Sequence, residues 1–139
     1  MVRWGLATLV VLMLGGMAYV RLAPSDPARW HHGADATGAG HIPRSGGHIW
    51  RGPGDADTLA RLDRIIRATP RTQHLTGSLD DRMVTYVTRS RVFGFPDYTT
   101  ISLDDGMVEV FARLRFGKSD LGVNRARVEG WLEALGKGG

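Results

Sequence analysis

The sequence predicts an α+β domain, preceded by one hydrophobic anchor helix. In the domain, an N-terminal and a C-terminal amphipathic helix pack on an antiparallel four-stranded meander. An uncharged run from Trp4 to Val20 opens the chain, which predicts the anchor. Helical periodicity marks two later segments, and four strand-like runs lie between them. The length of 139 residues suits one domain.

The uncharged run is flanked by Arg3 and Arg21 and is long enough to cross a bilayer. A spanning helix needs about 20 apolar residues, with a lower limit near 17. We therefore predict a membrane anchor or signal segment over residues 1–22, with the membrane as a partner through residues 4–20. The alternative is a signal peptide that is cleaved after Gly16-Met17-Ala18.

Basic residues give little guidance on orientation, because Arg3 precedes the run and Arg21 and Arg29 follow it. The short N-terminal flank favours translocation of the C-terminal domain. We therefore predict a single-pass protein of the bacterial inner membrane with a cytoplasmic N-terminus and a periplasmic domain. If the segment is cleaved, the domain is instead secreted to the periplasm.

Gly, Pro, Ala and His dominate residues 23–48, and no helical or alternating pattern is visible there. The prediction is a flexible linker that leads into a globular α+β domain over residues 49–136. The linker contains four irregularly spaced histidines without a carboxylate framework, which argues against a metal site: His31, His32, His41 and His48. The chain has no cysteine, which excludes disulfides and thiolate nucleophiles.

The first amphipathic helix is predicted at Asp55–Ala68, because Pro70 forbids its continuation and four apolar residues share one face: Leu59, Leu62, Ile65 and Ile66. Two hairpins follow. Their strands are predicted at Thr72–Ser78, Met83–Val92, Tyr98–Leu103 and Met107–Phe116.

The second hairpin is predicted to turn through the three-residue loop Asp104-Asp105-Gly106, with the glycine in the left-handed region. In that register Leu103 opposes Met107, and both faces of the hairpin are only half apolar. The last helix is predicted at Asn124–Leu135 and ends at Gly136.

Two segments carry a family resemblance, TRSRVFGFPD at Thr88–Asp97 and RLRFGKSDLGVNR at Arg113–Arg125. Together they resemble the bacterial and plant family of uncharacterised proteins called domain of unknown function 1499. The resemblance covers roughly Ile49 to Leu135. It implies a small, often membrane-anchored protein and brings no established activity. The family pattern commonly has serines where this chain has Ala112 and Leu114.

Two pairs of arginines each project to one face of a predicted strand: Arg89 with Arg91, and Arg113 with Arg115. If the two strands are neighbours, the four guanidinium groups converge into a site for an anionic ligand. The carboxylates of Asp97 and Asp120 would neutralise part of that charge. The alternative is a solvated face with ordinary ion pairs, worth about 0–1 kcal/mol each.

The segment Gly117-Lys118-Ser119 is not a phosphate-binding loop, because alanine stands where the first glycine of that motif belongs. We interpret it as a strand-to-helix turn in which Ser119, Asp120 or Asn124 caps the last helix. The predicted ligand-binding set is Arg89, Arg91, Asp97, Arg113, Arg115, Lys118, Ser119, Asp120 and Asn124. No catalytic residue, metal ligand or cofactor is predicted.

These features predict a membrane-anchored binding or accessory domain on the periplasmic side that recognises an anionic ligand or a protein partner. The formal charge of +4 is too small to indicate a nucleic-acid partner. One alternative is a subunit or assembly factor of a membrane complex, which would bind through the anchor and the last helix. The other is a small hydrolase-like enzyme with His74, Asp97 and Asp120 in a cleft, although no nucleophile elbow supports it.

Overall fold

The computed structural model describes residues 2–137, and their side chains from Arg3 onward. These residues form four helices and one six-stranded antiparallel sheet with strand order β1-β2-β6-β5-β4-β3. The elements are, in chain order, α1 (Val2–Leu22), α2 (Pro27–Trp30), β1 (Gly40–Arg44), β2 (Gly47–Pro53), α3 (Ala56–Arg67), β3 (Thr72–Ser78), β4 (Met83–Arg89), β5 (Pro96–Asp104), β6 (Met107–Leu114) and α4 (Val123–Lys137).

The last four strands form the predicted meander, since each pairs antiparallel with the next. The prediction of four strands is wrong, because β1 and β2 form a further hairpin that joins the sheet at β6. This hairpin starts inside residues 23–48, so at least residues 40–44 and 47–48 are not flexible linker. Pro43 and the three glycines within the two strands hide the alternation that marks a strand. An edge strand such as β1 tolerates proline, because one side of it makes no ladder hydrogen bonds.

The turn between β5 and β6 has two residues, not the predicted three. Asp105 and Gly106 both have positive φ, at 47° and 72°, as a type I′ turn requires. The register therefore shifts by one, and Leu103 pairs with Val108 rather than with Met107. With this pairing one face of the hairpin becomes apolar, carrying Ile101, Leu103, Val108, Val110 and Ala112.

Helices α3 and α4 pack on that apolar face and close the hydrophobic core, as predicted. Asp55 caps the start of α3 by accepting a hydrogen bond of 2.9 Å from the Thr58 amide. Trp131 of α4 is 5% exposed and donates its indole N–H to the Thr69 hydroxyl at 2.8 Å, which ties the two helices together.

The opposite face of the sheet is covered by residues 23–37, which we call the strap. Its central side chain, Trp30, stacks on Tyr98 of β5 with ring centroids 4.0 Å apart and an interplanar angle of 11°. The imidazole Nδ1 of His31 lies 2.9 Å from the Thr85 hydroxyl, and the amide of Ala34 donates to Glu109 at 2.7 Å. Both faces of the sheet are therefore covered, and the strap is ordered against one of them.

Two arginine side chains, the buried Arg113 and the half-buried Arg115, hold the strap in place. Arg113 donates to the Trp30 carbonyl and, at 2.9 Å, to the Thr100 hydroxyl, with its guanidinium 4.3 Å from the centre of the Phe111 ring. Arg115 donates to the Pro24 carbonyl at 2.9 Å. Hydrogen bonds to a charged group contribute about 1.5–3 kcal/mol each. The arginines thus fix the strap, and with it the end of α1, against the domain.

Helix α1 is long and apolar enough to cross a membrane, and no residue of its most apolar stretch, within Arg3–Leu22, is fully buried in the protein. Its 21 residues correspond to about 30 Å, the thickness of a hydrocarbon core. A signal sequence near an N-terminus has the same character.

Replacing Arg113 by methionine keeps the apolar stem and removes the charged donors to the strap. We expect the free energy of strap opening to fall by about 1–3 kcal/mol, so that hydrogen exchange of the strap amides accelerates roughly 10- to 100-fold. Mass spectrometry of the full chain in detergent micelles measures these rates. Arg125→Met is the control, because Arg125 is exposed on α4 and its ion-pair partner among the described residues is Glu129 alone. Unchanged strap rates in Arg113→Met would contradict this role.

Candidate functional site

A cleft of about 820 Å³ opens on the strap side of the sheet, beside the C-terminal end of α1. Edge strand β3, the end of β4 and the strap form its walls. Four arginines line it and no acidic residue does: Arg21, Arg71, Arg89 and Arg91. Polar neighbours in the wall include Ser25, Thr72 and Ser90. The wall of the cleft therefore carries a strong excess of positive charge.

Elements of different kinds bring the four arginines together. Arg21 belongs to the last turn of α1 and donates to the carbonyls of Val92 and Phe93 at 2.9 and 3.4 Å. Arg71 follows α3 and donates through Nε to the Arg89 carbonyl at 3.1 Å. The side chain of Arg89, at the end of β4, donates to the Gly94 carbonyl at 3.0 Å and to the Val20 carbonyl at 3.5 Å.

The four guanidinium groups of the cleft retain donors for a ligand. Among residues 2–137 none of them forms an ion pair with a carboxylate. A guanidinium carries five N–H donors, and the backbone carbonyls occupy only one or two on each of Arg21, Arg71 and Arg89. Arg91 is exposed in the loop after β4. The cleft is therefore electrostatically complementary to a group with two or more anionic oxygens.

The structure divides the predicted ligand-binding residues among three places. Arg89 and Arg91 lie in the cleft. Arg113 and Arg115 share the sheet face of Arg89, but β5 separates the two strands, so the four arginines do not form one cluster. Burial lowers the pKa of Arg113 to about 10, and the nearby groups Tyr98 and Glu109 oppose this shift. Arg113 and Arg115 bind the strap instead of lining the cleft.

Asp97 and Asn124 meet on the opposite face of the sheet, at the start of α4. Asp97 forms an ion pair with Arg127 at 3.1 Å, and the buried Asn124 side chain contacts both residues, at 3.5 Å and 2.9 Å. Burial raises the pKa of Asp97 above its ordinary value, although the charge of Arg127 opposes the rise. Asp97 therefore does not neutralise the cleft arginines.

Asp120 is the residue that caps α4, in agreement with one of the predicted choices. Its carboxylate accepts from the amides of Gly122 and Asn124, each at 3.0 Å. Partial burial acts to raise the pKa of Asp120, but the hydrogen bonds from Asn124 and Gly122 outweigh it and leave the pKa below its ordinary value. Lys118 and Ser119 are exposed in the preceding turn, away from the cleft walls.

The histidines are distributed over different parts of the fold. His74 lies on β3, exposed at the cleft, with Nε2 2.8 Å from the Gly77 carbonyl. Strand β4 stands between it and Asp97, so the three residues of the hydrolase alternative do not meet. His41 and His48 form a pair at 2.8 Å, and burial, followed by the charge of His41, lowers the pKa of His48. Within the described part of the chain, no three metal-ligating side chains are grouped.

Sequence reasoning missed Arg21 and Arg71 as members of the site. In the sequence Arg21 stands at the flank of the apolar run, and Arg71 follows Pro70 without any pattern around it. The contact of Arg21 with Val92 joins residues 71 positions apart. No local signal in one sequence reports such a contact.

The pKa values of Asp97 and Asp120, near the start of α4, are expected to be shifted in opposite directions. The carboxyl carbon of Asp97 should have its midpoint above 3.8 and that of Asp120 below 3.8 in an NMR titration of the full chain. The folded state holds the Asp97 proton more tightly than the unfolded state does. The contribution of Asp97 to the free energy of unfolding therefore decreases as pH rises from 3.8 through the folded-state pKa. Arg127→Gln should raise the Asp97 midpoint further. A midpoint at or below 3.8 for Asp97 would contradict this account of the cluster.

Comparison with known proteins identifies kinship without an activity. No curated protein matches the chain. Four chains of known structure match, among them a DUF4468 family protein from Bacteroides ovatus at 10% sequence identity and a TM-score of 0.33. That match covers 65% of this chain and 63% of the other, so the chain spans less than two thirds of its length. The family model described as "Protein of unknown function (DUF1499)" matches residues 46–135, which include the strands of the meander, α3, all but the last two residues of α4, and the resembling segments. The chain belongs to this family of proteins of unknown function.

Proposed function

We propose that this protein is a membrane-anchored module that binds an anionic group in the cleft beside its anchor helix, on the periplasmic side of a bacterial inner membrane. The observation that carries the proposal is the set of four arginines in one cleft without an acidic neighbour among the lining residues. Phosphate and carboxylate groups accept paired hydrogen bonds from guanidinium donors, so they are the ligand class that this wall fits.

The connection between α1 and the domain supports an anchor that stays in place. The carbonyl of Val20 accepts from Arg89, and Tyr19 packs against Phe116 with ring centroids 6.1 Å apart. The last turns of α1 therefore belong to the fold of the domain as well as to the apolar helix. Cleavage after Ala18 would leave Tyr19 and its neighbours as a free N-terminus at this contact.

Two other functions have less support. A subunit of a membrane complex was expected to bind partners through the anchor and α4. Val128 and Trp131 of α4, however, are buried in the core. The hydrolase alternative needs His74 close to Asp97 or Asp120. Within residues 2–137, His74 forms no hydrogen bond with either aspartate. Helix α1 remains available as an interface in the first case.

Anion binding is expected to depend on Arg91. Full-length protein in a neutral detergent should bind inorganic pyrophosphate in isothermal titration calorimetry, and Arg91→Gln should weaken this binding roughly 10- to 100-fold. Loss of one paired, charge-assisted contact has this size. Affinity should also fall as salt rises, because the cleft is open to solvent.

Arg125→Gln is the matched control for Arg91→Gln. It removes the same charge from an exposed arginine of α4, which packs on the other face of the sheet. Its affinity for pyrophosphate should equal that of the wild type. Equal affinities of all three proteins, or no saturable binding by the wild type, would refute the anion site.

A reporter at the C-terminus tests the proposed orientation. Alkaline phosphatase, which needs an oxidising compartment, should be active when fused after residue 139, and a fluorescent reporter that matures only in the cytoplasm should be dark. Deleting residues 2–22 should reverse both results. A fluorescent full-length fusion would place the domain in the cytoplasm and contradict the proposal.

A further inference from the structure

The loop from Ser90 to Phe95 presents apolar side chains to solvent beside the anchor helix. Val92 is 66% exposed, Phe93 50% and Phe95 41%. The loop is closed by hydrogen bonds between its two ends. The Ser90 amide donates to the Phe95 carbonyl, and the Phe95 amide donates to the Ser90 hydroxyl, both at 2.9 Å. Its apolar side chains are thereby held outward.

This apolar loop is continuous with α1. The rings of Phe93 and Phe95 are 5.8 Å apart, that of Phe116 lies 6.4 Å from Phe95, and that of Tyr19 follows at 6.1 Å from Phe116. Arg21 of α1 also binds the carbonyls of the loop itself. An aromatic row therefore runs from the last turns of the anchor helix to the tip of the loop.

The contacts with α1 fix the depth of the loop. Tyr19 lies three residues before the end of α1, a distance of about 5 Å along the helix axis. If α1 spans the bilayer, its last turn lies in the headgroup region, and the side chains packed against it lie at the same level. Aromatic residues are enriched at that level of membrane proteins, since their rings suit a boundary between apolar and polar surroundings.

We infer that the loop Ser90–Phe95 inserts into the lipid surface and is the second membrane contact of this protein. The occupant of the exposed apolar patch is the bilayer in which α1 is anchored. The inference rests on the anchor part of the proposed function and is independent of the anion site. With two contacts the domain lies on the membrane in one orientation, and the cleft, which shares Ser90, Arg91 and Gly94 with the loop, opens at the headgroups.

Depth measurements with an environment-sensitive fluorophore test this inference, and the absence of cysteine from the chain makes single-site labelling direct. Full-length Phe93→Cys carries the label at the tip of the loop, and Val92→Cys repeats the measurement with both phenylalanines retained. The proteins are reconstituted in phosphatidylcholine vesicles that carry nitroxide-labelled lipid as a quencher. Neutral lipid and the absence of other proteins make the readout report on lipid contact alone.

Two matched label positions interpret the result. Asp80→Cys lies in the turn before β4, at the other end of that strand and about 20 Å from the loop, and its fluorescence should not be quenched. Val11→Cys lies in the middle of α1 and should be strongly quenched. The inference predicts that labels at residues 92 and 93 are clearly quenched, whereas the label at residue 80 is not.

The possible failures are distinguishable. Labels at 92 and 93 that behave like the label at 80, while the label at 11 is quenched, overturn the loop contact and leave the anchor standing. This result would assign the patch to a protein partner. An unquenched label at residue 11 overturns the anchor and the loop contact together.

Discussion

A guanidinium group that leaves water must find hydrogen-bond acceptors, and in this chain Arg113 finds them in the strap and in the sheet beneath it. The Trp30 carbonyl, the Thr100 hydroxyl and the Phe111 carbonyl accept from it, while aromatic rings lie beside its plane. The strap buries this guanidinium when it covers the sheet, and the accepting groups offset the cost of taking the charge out of water, which is several kcal/mol. The strap in turn brings the end of the apolar helix to the domain.

The position of α1 follows from that constraint, and so do the two surfaces beside it. Arg21 joins the arginines of β4 and of the α3–β3 connection because the last turn of α1 is held there. The same placement puts the loop Ser90–Phe95 at the level of Tyr19. One set of backbone contacts thus organises a basic cleft and an apolar loop at the end of the domain next to α1.

Much of the fold was predictable from the sequence, because its signals are local. Leu59, Leu62 and Ile66 repeat at helical spacing and are buried in α3 as predicted. The predicted bounds of β3 agree with the structure.

Other features of the fold depend on backbone conformations that hydrophobic periodicity does not report. Asp105 adopts the left-handed region together with Gly106, and this single extra residue with positive φ moved the register by one.

The candidate site was less predictable than the fold, because contacts distant in sequence define it. The spacing of Arg89 and Arg91 placed both near one surface, and both line the cleft. The spacing of Arg113 and Arg115 looked the same, yet strap carbonyls take up these side chains. The sequence of the strap resembles that of a linker, because the contacts of the strap depend on Trp30 and on backbone groups and not on an apolar repeat.

The most direct test of this account is the distance between the end of α1 and the domain. Spin labels at Leu22→Cys and Asp80→Cys of the full chain in lipid nanodiscs allow it to be measured by double electron–electron resonance. The account predicts one narrow distance distribution, which broadens when Arg113 is replaced by methionine. A broad distribution in the unmodified background, as a flexible linker of roughly 30 Å r.m.s. span would give, would contradict it.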